Sequence, residues 1–211
     1  ERTIVVVTAD HGETLYEQGR PSGHGDHLFG DEGTHVPLVV VDPRTPGGKR
    51  VSTIARDVDL APTLLELLGQ PASTKMDGRP LGKEGPRYAY AETEIWFTED
   101  AIAADQRLPY PPITQLTELD AAHGDEIVLR RDVRPLVTTA RHRMVRDERF
   151  KLVYVPTRAG ARYSLFDVSR DPGELHDVSA SEPRELARLK GELWSWMLQD
   201  PAMEMRDGLL V

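Results

Sequence analysis

Hydrophobic and polar positions fall into a few distinct regimes along this chain. Thr3-Ile4-Val5-Val6-Val7 is an unbroken, largely β-branched run that stops at Asp10-His11-Gly12-Glu13. A run without polar alternation suits a strand covered on both faces, as in a parallel sheet flanked by helices. Residues 12–34 are glycine-rich with little periodicity and read as a long loop at the strand's carboxyl end. Val36-Pro37-Leu38-Val39-Val40-Val41 reads as a second buried strand. Its Pro37 sits near the start, where a missing ladder donor is tolerated, and residues 42–48 close it with turn chemistry. Residues 58–69 form the clearest helix pattern, with Leu60, Leu64, Leu67 and Leu68 on one face. Asp59 suits its N-cap, Pro62 its first turn and Gly69 the left-handed position after its end.

From about residue 87 to 140 the pattern weakens, and Leu108-Pro109-Tyr110-Pro111-Pro112 excludes regular structure there, so this stretch reads as an insertion or lid. Beyond it, residues 143–146, 151–155 and 163–167 read as short strands of an antiparallel meander. Asp147-Glu148-Arg149 and Arg158-Ala159-Gly160 supply the turns between them. A final amphipathic helix spans about 182–198, with Leu186, Leu189, Leu193 and Trp196 or Met197 facing inward. No internal repeat is visible. The expected division is 1–86, 87–140 and 141–211.

A chain of 211 residues with 39% apolar content and 16 prolines fits a globular protein with long loops. No stretch approaches the ~18 consecutive apolar residues of a membrane span. The formal charge of −9 is spread along the chain, which argues against nucleic acid as a partner. It leaves room for an anionic substrate held by a metal and a few local cations. With no cysteine, disulfides, thiolate chemistry and Cys-ligated zinc are excluded within these residues. The first residue is Glu1 and the first strand starts at once, so the chain reads as a piece of something longer.

In open α/β sheets ligands bind beyond the carboxyl ends of strands. Asp10 and His11 fall there, and a hard oxygen beside an imidazole nitrogen suits a divalent cation. The competing reading makes Asp10 a turn cap and His11 a polar loop residue. Gly23-His24-Gly25-Asp26-His27 follows in the same loop, His24 lying 14 residues after Asp10. Glycines let an anion or metal approach, and His24 can bind an ester oxygen or protonate a leaving group. The bland alternative is an exposed glycine-rich turn, and it weighs more on His27 than on His24. His35 reads as a strand-edge residue. Tyr88, Tyr90, Trp96 and Phe97 read as strand and core aromatics, and Glu92-Thr93-Glu94 as a solvated edge. Arg130-Arg131-Asp132-Val133-Arg134 reads as a surface charge cluster, and His123, His142 and His176 carry no partner pattern.

Taken in order, these motifs resemble the C-terminal half of a sulfatase, within the alkaline-phosphatase-like superfamily. Thr8-Ala9-Asp10-His11-Gly12-Glu13 is similar to the family's strand-plus-metal motif. Gly23-His24 falls where the family places a Lys or His against the sulfate or phosphate group. Leu28-Phe29-Gly30-Asp31-Glu32, Thr34-His35-Val36-Pro37-Leu38, the helix from Val58 and Met76-Asp77-Gly78-Arg79-Pro80-Leu81 follow in family order. Phe150-Lys151-Leu152, Leu165-Phe166-Asp167 and Asp171-Pro172-Gly173-Glu174 resemble its closing motifs. The resemblance implies an alkaline-phosphatase-like α/β/α sandwich, truncated at its N-terminus, with a small C-terminal antiparallel subdomain and terminal helix. It implies metal ligands Asp10 and His11, a catalytic and substrate-binding His24, and His27 beside it. Glu13 would orient the loop.

The implied cofactors are one divalent cation (Ca2+, with Mn2+, Mg2+ or Zn2+ as alternatives) and a formylglycine nucleophile. That nucleophile comes from a Cys or Ser in a C/S-x-P-x-R motif, which these residues lack. The implied partners are a sulfate or phosphate ester and the N-terminal half of the same fold, and the isolated piece is expected to be inactive. Relatives are often exported or membrane-anchored. His24 in place of the lysine of many sulfatases keeps a phosphodiester or phosphonate hydrolase, or a phosphotransferase, open as the alternative activity. A non-catalytic homologue is the alternative of another class.

Overall fold

The computed structural model describes residues 3–20, 22–45, 47–83, 88–93, 108 and 112–211. Glu94, Trp96, Phe97 and residues 109–111, which carried expectations above, lie outside them. Strand β1 (Val5–Val7) is followed by the loop of residues 12–34 and by β2 (Val39–Val41). These two pair antiparallel, Val5 opposite Val41 and Val7 opposite Val39, which corrects the expectation of a parallel sheet buried on both faces. Val5, Val7, Val39 and Val41 are about half exposed, at 47%, 54%, 51% and 52%. All four lie on one face, because side chains alternate along a strand. The other described elements leave that face open.

Helix α1 (Asp57–Leu67) begins one turn earlier than expected. Asp59 is its third residue rather than its cap, because the carboxylate reaches back to the Arg56 backbone N–H at 3.2 Å and to the Arg56 guanidinium at 2.7 and 3.0 Å. Asp59 is fully buried and also accepts the Arg79 N–H at 3.0 Å. The buried side of α1 is therefore Asp59, Pro62 and Thr63, facing the loop of residues 76–81, and the leucines expected inward are only partly covered. Gly69, at φ +68°, ends the helix as expected, with its N–H on the Glu66 carbonyl and that of Gln70 on Leu65.

Strand β3 (Ala89–Glu92) precedes a short helix α2 (Ile113–Leu116), a hairpin of β4 (Thr117–Asp120) and β5 (Glu126–Leu129), and helix α3 (Arg134–Ala140). The described part of the segment expected to be irregular is thus largely regular from residue 113 onward. Its short elements have too few turns to show a period in sequence.

The meander is as expected: β6 (Arg143–Arg146), β7 (Phe150–Thr157) and β8 (Gly160–Asp167) pair antiparallel in succession. β3 adds to the open edge of β6, giving the order β3-β6-β7-β8. Every residue of β7 is buried, so both faces of this sheet are covered. Phe150, Leu152 and Tyr154 on one face join Val145 and Leu165 against α4 (Pro183–Met197). Helix α4 presents Leu189, Leu193, Trp194 and Met197, with Pro183 pre-set in its first turn. Trp194, absent from the expected inner face, is held there by an indole N–H donated to the Tyr163 hydroxyl at 2.8 Å, while Trp196 stacks on Tyr90 at 5.0 Å. On the opposite face Val153 and Val155 join Met144, Phe166 and Val168 against Leu28 and Phe29 of the loop. The glycine-rich loop is thus packed onto the back of the C-terminal sheet. A final ribbon of β9 (Met205–Arg206) and β10 (Leu209–Leu210) closes the core, Leu210 donating its N–H to the Tyr154 hydroxyl. Among the described residues no helix is long and apolar enough to cross a membrane.

Candidate metal centre

The residues after β1 are held by one close approach. The backbone of Gly12 passes so near Glu32 that a Cβ at Gly12 would lie 1.8 Å from the Glu32 carbonyl oxygen. The Gly12 N–H donates to the Gly33 carbonyl at 3.1 Å, which ties the start of the loop to its end. Thr14 and Gly23 then exchange two backbone hydrogen bonds of 3.0 Å, folding the loop back on itself. Gly23 and Gly25 take φ of +139° and +80°, conformations that side chains resist, and so turn His24 toward the end of β1.

The result is a stacked pair of imidazoles. His11 and His24 lie 4.1 Å apart, centroid to centroid, with their planes 22° from parallel. His11 Nδ1 is 2.8 Å from the Gly12 carbonyl oxygen, and His24 Nδ1 is 2.8 Å from Glu13 Oε2. Each of those oxygens can only accept, so Nδ1 carries the proton in both rings. In the neutral imidazoles both Nε2 atoms then keep their lone pairs, the tautomer a metal ligand needs. Among the described residues, His11, Glu13 and His24 form the one grouping of three or more potential metal-ligating side chains, with ligand atoms within 4.8 Å of one another.

Asp10 stands beside this group. Its side chain is 90% exposed, and Oδ2 lies 3.9 Å from His11 Nε2. The His11 backbone N–H donates to Asp10 Oδ1 at 3.0 Å and holds the Asp10 carboxyl below the usual aspartate range. His27 goes elsewhere: its ring faces Phe29 at 6.4 Å, toward the sheet, and it is not in the grouping. His35 is exposed and its N–H caps the turn from Asp31. The structure thus brings Asp10, His11, Glu13 and His24 together and leaves His27 apart. The link between Glu13 and His24 is a consequence of the Thr14–Gly23 bridge, which has no marker in the sequence beyond its glycines.

With fold and site in view, the fold is of the alkaline-phosphatase-like α/β type. The structure is similar to the phosphonate monoester hydrolase of Agrobacterium radiobacter, with a TM-score of 0.63 and 25% identity, covering 99% of this chain and 38% of that one. Residues 1–70 match the Sulfatase family model. Over 195 residues the chain is 26% identical to "Arylsulfatase K" of Bos taurus, a match spanning 92% of this chain and 31% of that protein. Over 108 residues it is 39% identical to "Low-salt glycan biosynthesis sulfotransferase Agl7" of Haloferax volcanii, spanning 50% of this chain and 26% of the other. The chain therefore spans about a quarter to a third of the length of these curated relatives.

Proposed function

We propose that this chain supplies the metal-binding and oxyanion-binding portion of an active site that hydrolyses sulfuric esters. The observation that carries the reading is the convergence of His11, Glu13 and His24 in the segment that matches the sulfatase model. Asp10 and His11 are the proposed metal ligands. The 3.9 Å between Asp10 Oδ2 and His11 Nε2 lets both atoms sit about 2.0–2.6 Å from one cation. A bound divalent ion, proposed as Ca2+ with Mn2+, Mg2+ and Zn2+ as alternatives, neutralises charge on the ester's non-bridging oxygens.

His24 is the proposed donor to the transferring group or its leaving oxygen. Glu13 accepts from His24 Nδ1 and so aims Nε2 at the ester. His27, proposed beside the substrate, has its ring 6.4 Å from that of Phe29. The formylglycine nucleophile has no Cys or Ser-x-Pro-x-Arg precursor within the 211 residues and is proposed to come from sequence outside them. The half-exposed valines of β1 and β2 are the proposed seat of that remaining part of the fold. By the same reasoning the isolated chain is proposed to be inactive. A second reading, hydrolysis of a phosphonate or phosphodiester, is supported by His24 in the usual lysine position and by the likeness to the phosphonate monoester hydrolase.

The test is turnover of para-nitrophenyl sulfate and of an aryl phosphonate by the full-length protein. Asp10→Ala is expected to abolish metal binding. His24→Ala is expected to retain the metal and lose on the order of a hundredfold in turnover, the usual effect of removing one charge-stabilising donor. Near-wild-type activity in both variants refutes the assignment, and the preferred substrate decides between the two readings.

A further inference from the structure

The loop that presents His24 is gripped at its far end by charged groups of the meander. Lys151 on β7 and Glu174 in the turns after β8 have fully buried side chains and pair at 2.7 Å. Both also seize the backbone of one loop residue. The Gly30 N–H donates to Glu174 Oε2 at 2.7 Å, and Lys151 Nζ donates to the Gly30 carbonyl at 2.5 Å. Around this centre Asp31 pairs with Arg146 and lies 3.6 Å from Lys151. Buried Arg20 donates to the Gly173 carbonyl at 2.6 Å and approaches Glu32 at 3.5 Å. Gly30 itself has φ +78°, and a side chain there would strike Glu32 and Arg20.

Leu28 and Phe29 already hold the loop to the sheet by apolar contact. An ion pair buried beside them is a poor way to add adhesion, because both charges lose their water. What the pair adds is direction, since it fixes two backbone atoms of one residue from opposite signs of charge. Gly30 lies six positions beyond His24 and two before Glu32, whose carbonyl is the surface against which Gly12 packs. Fixing Gly30 therefore fixes both the segment leading from His24 and the wall behind His11 and Glu13.

We infer that Lys151 and Glu174 are positioning residues for the metal centre, holding the Gly30 backbone so that the loop presents His24 against His11 and Glu13. The functional half of this inference rests on the proposed role of His24. It is tested in the full-length protein with Glu174→Gln, which keeps an oxygen for the Gly30 N–H, and Glu174→Met, which does not. Each is combined with His24→Ala, and each is followed by amide hydrogen exchange over residues 12–34 and by turnover of para-nitrophenyl sulfate.

Glu174→Met is expected to speed exchange across the loop and to lower kcat by about tenfold or more, as a misplaced group does, with KM little changed. Glu174→Gln is expected to recover most of that loss. In the His24→Ala background Glu174→Met is expected to cost clearly less, because most of its effect passes through His24. Unchanged exchange over 12–34 overturns the clamp, whatever the kinetics. Equal losses of kcat with and without His24 overturn the positioning role. A His24→Ala protein with full turnover overturns the reading of the site and the functional half of the inference with it, while the exchange data still decide whether Glu174 orders the loop.

Discussion

Replacing Gly12 by alanine tests the packing on which the site is built. In most exposed positions Gly→Ala stabilises a protein by about 0.4–1 kcal/mol, because the unfolded chain loses freedom. Here the sign is expected to reverse. The new Cβ would lie 1.8 Å from the Glu32 carbonyl oxygen and 3.0 Å from its carbon. Ordinary carbon–oxygen contact begins near ~3.3 Å, so the two backbone segments must part by about 1.5 Å. The obstacle is main chain, which cannot rotate aside. Overpacking of this kind costs about 1–3 kcal/mol. Parting the segments also breaks the 3.1 Å bond from the Gly12 N–H to Gly33, worth about 1 kcal/mol. Set against the entropic gain, a net loss of about 1–3 kcal/mol is expected. His11 and Glu13 flank Gly12, so the same movement displaces both from His24, and metal affinity is expected to fall by about tenfold or more. Urea unfolding measures the first effect and calorimetric titration with Ca2+ or Mn2+ the second. An alanine variant as stable as the wild type refutes the close-approach argument.

Two further outcomes follow from charged groups away from the site. Asp59→Ala leaves the Arg56 guanidinium and the Arg56 and Arg79 N–H groups without their acceptor. Breaking a buried pair in this way costs about 3–5 kcal/mol, and a loss below about 1 kcal/mol in urea unfolding contradicts the role given to Asp59 in seating residues 76–81. Arg44 donates to Asp42 through its side chain and backbone, lowering the Asp42 carboxyl from 3.8 to about 2. Because the folded value lies below the unfolded one, this pair's contribution to stability is complete above about pH 4 and is lost as the pH falls toward 2. NMR titration of the Asp42 carboxyl is expected to give a midpoint near 2 that rises toward the ordinary range in Arg44→Ala, which keeps only the backbone N–H donor of that residue; an unchanged midpoint rejects the pairing.

The elements most legible in the sequence are those whose period is long enough to count. The meander and α4 appear within a few residues of the expected places because β-rich runs bounded by turn residues and a 3.6-residue stripe over fifteen residues are hard to mimic. β1 and β2 misled for the opposite reason. An unbroken valine run records that a strand is meant to be covered, but not by which neighbour or in which direction it pairs. Antiparallel pairing with half-exposed valines is what these residues adopt together. At the site, Asp10, His11 and His24 could be picked out because glycine, imidazole and carboxylate follow a strand. The roles of Lys151, Glu174 and Arg20 could not, although two of them fall in recognised motifs. Their hydrogen bonds run to backbone atoms far away in sequence, and a backbone acceptor leaves no residue type behind to be read.

The grip on Gly30 also bears on the order in which the molecule acquires its shape. The bonds from Gly30 to Lys151 and Glu174 close sequence separations of 121 and 144 residues. Contacts of such length are the slow ones, since chain entropy must be lost before they form. The meander and α4 are joined by short turns and can assemble among themselves. The histidine loop, although it precedes them from the N-terminal side and leaves the ribosome first, has to wait for that finished surface. Capture of the proposed metal is thereby expected late on the folding path, after the meander and α4 have become native.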